Sequence, residues 1–400
     1  MKPLALFLTH SPPRPSISGD RIRTFHLMRE LRDRGWHISL FSLLPADEPV
    51  GLDAALAEAA DEWRLVPRGV SRLRRLVSLG GGLLRRRAFY LDWFWSRRSA
   101  AECRVWLDGS RAGVLFVEQL FMFPYVPRSR RGGVVLDTQN FEVARMRAMA
   151  AADSSVARRA VARLQLGPVE RYERAAVASV ARVLAVSPEE EAAFEQIAPG
   201  RVRLVPNGVD VRTIRPTAIT PSSRGLLYLG SMSYAPNADA VVHFVDEIAP
   251  LVRTAGVTLD VIGSSPSRSV HLAAARAKIR TTVRGFVPDV ATFYRDRRAM
   301  IVPLRQGGGT RLKILEALAR GLPVITTTIG CAGLGLTNER EALIADTPAQ
   351  FAGAIDRLMV DVELWERLSA AGRSFVERKH GWHEIGETLD GIMRELVPKP

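Results

Sequence analysis

Short apolar runs alternate along the chain with longer stretches whose apolar residues recur at helical spacing. Residues 3–9 (PLALFLT) form the first apolar run. The next apolar residues recur every three or four positions, at Ile22, Phe25, Met28 and Leu31. A fully apolar run followed by an amphipathic helix is typical of a parallel strand that helices cover on both faces. The pattern therefore predicts an α/β architecture.

The same alternation continues through the chain with one interruption. Further strands are predicted at residues 36–44, 113–119, 133–139, 182–187 and 202–206, and then at 226–231, 257–265, 281–287, 299–304, 323–328 and 342–346. Residues 206–225, between the two sets, are rich in Pro, Thr, Ser and Gly, which is typical of a linker. We therefore expect two α/β halves in tandem, with ligands at the carboxyl ends of their strands and a cleft between the halves.

Three consecutive glycines, residues 307–309, come before a stretch with helical periodicity. Thr310 is expected to N-cap a helix from about Arg311 to Arg320. Unpaired N–H groups at a helix N-terminus attract anions, and glycines let a ligand approach the backbone closely. Arg311 and Lys313 would add positive charge to such a site. The alternative is a tight turn with solvated basic side chains.

Composition narrows the class of protein without identifying its ligand. The 400 residues are 47% apolar and 24% charged, as in globular proteins, and two cysteines provide neither a disulfide framework nor a cysteine metal cluster. No apolar run reaches the roughly 18 residues of a membrane span, and no signal peptide is expected. The net charge of +14 fits an arginine-rich composition with solvated surfaces, or else an anionic membrane surface or an anionic substrate, and charge alone does not choose among them. Nucleic acid is not expected, because no zinc-finger spacing or RNA-binding aromatic signature is present.

Residues 71–99 combine arginines with Leu, Phe, Tyr and Trp. Basic residues attract anionic lipid, and Trp93, Phe94 and Trp95 have side chains suited to a membrane interface. This stretch is our candidate for contact with a membrane. The alternative is a helix that packs on the protein and keeps its arginines in water.

Several motifs together carry a resemblance to a known family. Residues 303–327 (PLRQGGGTRLKILEALARGLPVITT) are the most specific, and residues 206–210 (PNGVD) are the next most specific. Residues 284–289 (RGFVPD) also carry the resemblance. The chain resembles the GT-B glycosyltransferases and is similar to the large family 4 of retaining, nucleotide-sugar-dependent enzymes. The resemblance implies two Rossmann-like domains that face each other across a cleft. It places an acceptor-side domain at 1–208, a nucleotide-sugar domain at 209–380 and a returning C-terminal helix at 381–400.

The function implied by this resemblance is transfer of a sugar, with retention, from a nucleoside diphosphate sugar to an acceptor hydroxyl. The acceptor would be a glycan or lipid-linked glycan in cell-surface polysaccharide synthesis. The enzyme would need neither cofactor nor metal, and no DxD pair is present to hold a metal. It would be cytoplasmic, with peripheral attachment to the inner face of the membrane as an additional expectation. Two alternatives stay open: a GT-B nucleotide-sugar epimerase, and a catalytically silent protein that binds carbohydrate or polyanions.

Site residues follow from the resemblance and from positions after predicted strands. Arg311 and Lys313 would stabilise the leaving diphosphate. Glu316 would bind the ribose, or else form an i,i+3 surface pair with Lys313. The substrate-binding candidates are Gly19, Asp137, Asn140, Glu142, Gly230, Ser231, Phe286, Val287, Gly308, Gly309, Thr310 and Glu316. The lone histidines His10, His26 and His243 are weaker candidates.

The chain also departs from the family's commonest pattern. Gly308 stands where a first carboxylate is usual, and residues 230–237 (GSMSYAPN) contain neither Arg nor Lys. Gln139 stands where members of the family often have His. Arg311 and Lys313 are therefore expected to supply the positive charge that residues 230–237 lack.

Overall fold

The computed structural model describes residues 2–15, 18–46, 48, 52–68, 88, 91–110, 113–152, 156–217, 223–307 and 309–397. The chain divides into two compact units. The first unit comprises Met1–Pro206 together with Trp382–Pro400, and the second comprises Asn207–Gly381.

The first unit contains a seven-stranded parallel sheet. Its strands are β1 (Leu4–Thr9), β2 (His37–Leu44), β3 (Glu62–Pro67), β4 (Val114–Glu118), β5 (Val134–Asp137), β6 (Arg182–Ala185) and β7 (Val202–Leu204), in the order β3-β2-β1-β4-β5-β6-β7. In the described residues up to 206, its helices are α1 (Gly19–Asp33), α2 (Leu52–Ala59), α3 (Leu91–Phe94), α4 (Arg97–Gly109), α5 (Glu142–Ala152), α6 (Val156–Ala178) and α7 (Pro188–Glu195), with 3₁₀ turns at Leu120–Tyr125 and Arg128–Gly133.

Both faces of this sheet are buried. Along β1, Leu6 and Leu8 belong to one apolar cluster, whereas Ala5 and Phe7 belong to a second cluster. Since successive strand residues point to opposite faces, the central strand must be apolar at every position to fill both layers. This explains why the strands were recognisable as continuous apolar runs.

The second unit contains a six-stranded parallel sheet. Its strands are β8 (Gly225–Leu229), β9 (Thr258–Ile262), β10 (Arg280–Gly285), β11 (Arg297–Val302), β12 (Val324–Thr326) and β13 (Leu343–Ile344), in the order β10-β9-β8-β11-β12-β13. Its helices are α8 (Ala235–His243), α9 (Arg268–Arg276), α10 (Leu312–Ala319), α11 (Pro348–Val360) and α12 (Val362–Lys379), with a π-helical segment at Phe244–Ile248 and 3₁₀ turns at Ala249–Leu251 and Ala291–Tyr294.

The stretch predicted as a linker, residues 206–225, is largely part of the second unit. Val209 pairs with Gly381 in an isolated parallel bridge. The guanidinium of Arg373 donates to the carbonyls of Val211 and Ile214, at 2.8 and 2.9 Å. These bonds satisfy backbone groups that a free linker would leave to water. Residues 218–222 lie outside the described part of the chain.

The last helix, α13 (Trp382–Arg394), packs against α1 within the first unit. The rings of His26 and Trp382 stack with their centroids 4.9 Å apart, and Trp36 Nε1 donates to Asp390 Oδ1 at 2.6 Å. The chain therefore ends in the same unit in which it begins.

The prediction of two parallel-sheet α/β halves is confirmed. Among the described residues, no helix combines the length and the apolar character needed to cross a bilayer.

Candidate functional site

Helix α10 of the second unit begins at Leu312, and two residues separate it from the glycine run. Arg311 is its N-cap residue and Leu312 its first helical residue, so the helix starts one position later than predicted. Thr310 is not the cap, which corrects the expectation, because its hydroxyl accepts a hydrogen bond from Asn207 Nδ2. The first turn of α10 therefore has no side-chain cap and presents its N–H groups to any ligand at this end.

The loop before α10 requires glycine. Gly307 and Gly309 have φ angles of +119° and +78°, which side-chain-bearing residues rarely adopt. A Cβ atom on Gly307 would lie 3.0 Å from the hydroxyl of Tyr234 and 3.1 Å from Nη2 of Arg311. The polar groups of Tyr234 and Arg311 therefore converge on bare backbone at Gly307. Gly308 lies outside the described residues.

Arg311 is a largely buried cation at this helix end. Only 8% of the residue is exposed, and its Nη1 donates to the carbonyl of Gly309. Burial lowers the pKa of Arg311 from its ordinary value. Because a guanidinium still stays protonated at any pH the folded chain meets, the site holds a permanent positive charge.

Lys313 lies next to Arg311 in a polar cluster with Tyr228 and Asn237. Its Nζ donates to Asn237 Oδ1 at 3.2 Å and lies 4.5 Å from the centroid of the Tyr228 ring. Burial, and then repulsion from Arg311, lower the pKa of Lys313 to about 7. No carboxylate contributes to that shift. The charged form of Lys313 is therefore poorly compensated and would gain from an anionic ligand.

Gly230 and Ser231 lie beside this ammonium group. A Cβ atom on Gly230 would be 2.9 Å from Lys313 Nζ, and the carbonyl of Ser231 accepts from Asn237 Nδ2 at 2.9 Å. The hydroxyl of Ser231 lies 2.9 Å from that of Ser264, which follows β9. The structure thus brings together the predicted residues Gly230, Ser231, Arg311 and Lys313 at the carboxyl ends of β8 and β9 and at the start of α10.

Glu316, in the second turn of α10, pairs with Arg320 rather than with Lys313. Glu316 Oε1 lies 3.0 Å from Nη2 of Arg320. The alternative that Glu316 forms an i,i+3 pair with Lys313 is therefore wrong. Its carboxylate is partly exposed, at 29% of the side chain, so an oxygen is available to a ligand as well as to Arg320.

Phe286 and Val287 follow β10, which is separated from β11 by β9 and β8 in the sheet. Phe286 is 74% exposed, whereas Val287 packs partly against the core of the unit. These two residues can offer an apolar surface to a ligand but no polar side-chain group.

In the first unit, the structure corrects the role expected for Asp137. This residue is fully buried, and it forms a two-pronged ion pair with Arg23, at 2.8 Å from Nη2 and 3.0 Å from Nε. Gln139 also donates to Asp137 Oδ2 at 3.0 Å. The carboxylate of Asp137 is engaged inside the protein and is not presented to a substrate.

The other candidates of the first unit differ in exposure: Glu142 is buried, Asn140 is half-buried and Gly19 is exposed. Glu142 accepts from Arg145 Nη2 at 2.7 Å, and its backbone N–H is capped by Glu173 at 2.8 Å. Burial raises the pKa of Glu173 to about 8, and the nearby charge of Glu142 adds to that rise. Gly19 is the first residue of α1.

A second polar cluster, formed by His10, Asp20 and Glu118, was only partly anticipated. Nδ1 of His10 lies 3.0 Å from Glu118 Oε2, and its Nε2 lies 3.2 Å from Asp20 Oδ2. Sequence reasoning named His10 but missed the two carboxylates. Glu118 is 108 residues away along the chain, and Asp20 lies in the following helix, α1. The one available signal was that Glu118 ends an apolar strand.

The charges of this His10 cluster stabilise one another. Burial alone would lower the pKa of His10, but the charge of Glu118 and hydrogen bonds to both carboxylates outweigh it and raise that pKa to about 9. Burial alone would raise the pKa of Asp20, but the hydrogen bond and charge of His10 outweigh it and lower that pKa to about 2. At neutral pH the cluster therefore consists of an imidazolium between two carboxylates.

Most of the candidate membrane stretch, residues 71–99, lies outside the described residues, since nothing is described at 69–87 and 89–90. Trp93, Phe94 and Trp95 are described, and all three are half-buried against the core of the first unit. Phe94 stacks on Phe121 with the ring centroids 4.3 Å apart. This packing differs from the expectation that the three aromatic side chains extend into a lipid interface.

The two parallel-sheet units, with a cationic glycine loop at the end of a strand in the second, define a GT-B fold. Two solved structures share this fold across the whole chain. Sucrose-phosphate synthase from Thermosynechococcus elongatus has a TM-score of 0.74 at 18% identity, with 99% of each chain covered. The Anabaena protein HepE, solved in complex with UDP and glucose, has a TM-score of 0.71 at 13% identity, with 98% of this chain and 99% of that chain covered.

Residues 223–361 match the family described as Glycosyl transferases group 1. This part of the second unit is therefore similar to a glycosyl transferases group 1 domain, and the resemblance to GT-B glycosyltransferases is confirmed. Among curated proteins, D-inositol 3-phosphate glycosyltransferase from Acidothermus cellulolyticus is 28% identical over 222 residues. That match covers 50% of this chain and 49% of the relative, so the chain matches about half the length of this relative.

Proposed function

We propose that the chain is a glycosyltransferase that moves a sugar from a nucleoside diphosphate sugar to an acceptor hydroxyl. The observation that carries the proposal is the cationic end of α10. There Arg311 and Lys313 lie beside a glycine loop and no carboxylate shifts the pKa of Lys313. Two cations at a helix N-terminus oppose the helix dipole, so the arrangement is unfavourable without an anion and favourable with one.

The reaction we propose needs this charge most when the bond between sugar and diphosphate breaks. Negative charge then develops on the departing diphosphate, and preorganised cations in a partly dry site stabilise it more than water would. Arg311 supplies a fixed charge. Lys313, with a pKa of about 7 in the free protein, takes up its proton fully when the diphosphate binds.

The finer assignments rest on the resemblance and on the placement of residues. Gly230, Ser231, Gly309 and Thr310 would border the diphosphate and sugar. Glu316 would share its carboxylate between Arg320 and the ribose. Phe286 and Val287 would lie near the base. The HepE complex with UDP and glucose supports a donor of this class.

For the chemistry we propose retention at the anomeric carbon, with the leaving diphosphate helping to deprotonate the acceptor and with no metal required. The acceptor we propose is a glycan or lipid-linked glycan in cell-surface polysaccharide synthesis, handled at the cytoplasmic side of the membrane. These assignments follow the family resemblance.

A donor and acceptor screen tests the proposal. UDP-, GDP- and ADP-linked sugars are first compared by thermal shift. A ligand at 100 times its dissociation constant should stabilise the protein by roughly 2.7 kcal/mol. Release of nucleoside diphosphate is then measured with octyl glycosides of common hexoses as acceptors. The proposal predicts release that depends on the acceptor, and an NMR spectrum of the product gives its anomeric configuration.

Other outcomes of the screen favour the alternatives. An altered donor sugar that forms without any acceptor would indicate an epimerase. Donor binding without any release of diphosphate would indicate a binding protein on the same scaffold. An inverted product would contradict retention while leaving the transferase assignment intact.

Peripheral membrane attachment gives a prediction of its own. Replacing Arg85, Arg86 and Arg87 by serine should weaken binding to vesicles that contain anionic lipid, because each basic residue near such a surface contributes about 1 kcal/mol. The measurement is co-sedimentation with anionic and with neutral vesicles. Unchanged binding of the triple variant, or equal binding to neutral vesicles, would contradict the attachment through this stretch.

A further inference from the structure

The His10 cluster lies at the edge of the first sheet where ligands bind in parallel α/β folds. His10 follows β1, Glu118 is the last residue of β4, and β1 and β4 are neighbouring strands. Asp20 is the second residue of α1, which returns over the same edge. The carboxyl ends of parallel strands are the usual place for a ligand, so the position itself calls for a functional explanation.

Glu118 is the buried carboxylate that holds the other residues of the cluster in position. It is fully buried, and its Oε1 accepts from the hydroxyl of Thr24 at 3.0 Å. Its Oε2 accepts from the backbone N–H of His10 at 3.2 Å and faces Nδ1 of the same ring at 3.0 Å. Two contacts to one residue fix the direction in which the imidazole points. The other ring nitrogen, Nε2, is thereby aimed at Asp20.

Asp20 is the exposed end of the cluster. Its side chain is 25% exposed, and its Oδ2 lies 3.2 Å from Nε2 of His10. Ser18 and the backbone N–H of Arg21 also donate hydrogen bonds to this carboxylate. An ionised carboxylate offers about four acceptor positions and no donor. His10, Ser18 and Arg21 occupy three of these positions on Asp20, so one position is left for a ligand. That ligand must bring a donor group, such as a hydroxyl.

An apolar surface adjoins the same histidine. The rings of Phe121 and Phe94 meet the His10 ring edge-on, with centroids 5.1 and 5.6 Å away, and both are half-buried. Sugars have apolar C–H faces and hydroxyl edges. An orientated carboxylate beside aromatic rings matches both features, since binding sites combine apolar walls with a few placed polar groups.

We propose that Asp20 binds a hydroxyl of the carbohydrate acceptor, with His10 and Glu118 as positioning residues that hold its carboxylate in place. The inference deepens the proposed function and rests on it for the identity of the ligand as a carbohydrate acceptor.

The test compares Asp20→Asn with the wild-type chain, using octyl glycosides as probes. Asparagine keeps the shape but loses the charge, and hydrogen bonds to charged groups are the stronger ones. The KM for the octyl glycoside should rise roughly ten- to hundredfold, with the affinity for nucleoside diphosphate and the kcat nearly unchanged. Asp20→Glu should restore part of the affinity, and His10→Asn should give a smaller loss than Asp20→Asn.

Binding of the octyl glycosides is also measured by saturation-transfer NMR. Because this measurement does not depend on turnover, loss of the transfer reaction can be distinguished from loss of sugar binding at Asp20. Asp33→Asn is the matched control, because Asp33 is an exposed carboxylate at the other end of α1. Asp33→Asn should change neither the KM for the octyl glycoside nor the binding of that glycoside in the NMR measurement.

Three results would overturn the inference. The first is an octyl glycoside affinity that Asp20→Asn leaves at the wild-type value. The second is an equal loss of acceptor and diphosphate affinity. The third is a lower thermal stability that accounts for the whole effect, since a purely structural ion pair would behave in that way.

Discussion

Replacing Arg311 by alanine should lower turnover about a hundred- to thousandfold, which corresponds to roughly 2.7–4 kcal/mol of lost transition-state stabilisation. The reason is that charge builds up on the diphosphate as the bond to the sugar breaks, and Arg311 is a permanent cation at the glycine loop. The donor dissociation constant should change much less, because part of the anion affinity stays with Lys313 and the N–H groups of α10. Single-turnover kinetics and donor titration measure the two effects separately.

Arg305→Ala provides the matched control for this variant. Arg305 lies just before the glycine run, but its guanidinium is half exposed and pairs with Asp239 at 2.7 Å and Glu247 at 3.3 Å. Loss of such a surface pair changes stability by about 1 kcal/mol or less, and turnover should be close to that of the wild type. Wild-type turnover of Arg311→Ala at saturating donor would contradict the leaving-group role.

Replacing Asp137 by alanine should destabilise the first unit by about 3–5 kcal/mol, the usual cost of removing one partner of a buried ion pair. Arg23 is 1% exposed, and its Nη1 and Nη2 also donate to the carbonyls of Pro206 and Val205, both at 2.8 Å. Without Asp137, Arg23 would lose its two-pronged carboxylate partner, while the carbonyls of Pro206 and Val205 and the charge of nearby Glu190 would remain. Urea unfolding of the variant and the wild-type chain measures the difference.

The double variant Arg23→Met/Asp137→Leu tests whether the lost stability of Asp137→Ala comes from the uncompensated charge of Arg23. Removing both charges leaves no uncompensated ion, so most of the stability should return. A single Asp137→Ala variant that unfolds like the wild type but loses substrate affinity would instead support the original substrate role of Asp137.

Most of the strands that sequence reasoning recognised are buried on both faces and need apolar residues at nearly every position, although the half-buried or exposed edge strand β10 was recognised as well. Central strands such as β1 and β4 are buried on both faces, so their pattern follows directly from the fold. Strand β3 was missed because it is the edge strand of its sheet, and most of its residues are half-buried or exposed. Its residues (EWRLVP) therefore show no continuous apolar run.

The site was predictable where it depends on neighbours in sequence. The glycine loop, Arg311 and Lys313 lie within seven residues, and their local pattern already indicated an anion site. The contacts of Lys313 with Asn237, of Thr310 with Asn207 and of His10 with Glu118 join distant parts of the chain. No local pattern encodes such contacts, which is why the N-cap was assigned wrongly. The partner of Glu316 was assigned wrongly for a different reason: Lys313 at i−3 and Arg320 at i+4 both fit helical spacing, and the structure pairs Glu316 with Arg320.

The central claim is that Lys313 and the start of α10 bind a diphosphate, and proton uptake on binding tests it most directly. At pH 8 a lysine with a pKa near 7 is mostly neutral, and an anion that restores its ordinary pKa makes the site take up about 0.9 proton. The ligand adds little to this count, since the second ionisation of a phosphate lies near 6.

Calorimetric titration of UDP, GDP and ADP in buffers of different ionisation enthalpy gives the number of protons taken up on binding. The account predicts uptake close to one proton at pH 8, lost in Lys313→Arg, which should still bind the nucleotide. Tight binding with no proton uptake by the wild-type chain, or the same uptake by Lys313→Arg, would contradict it.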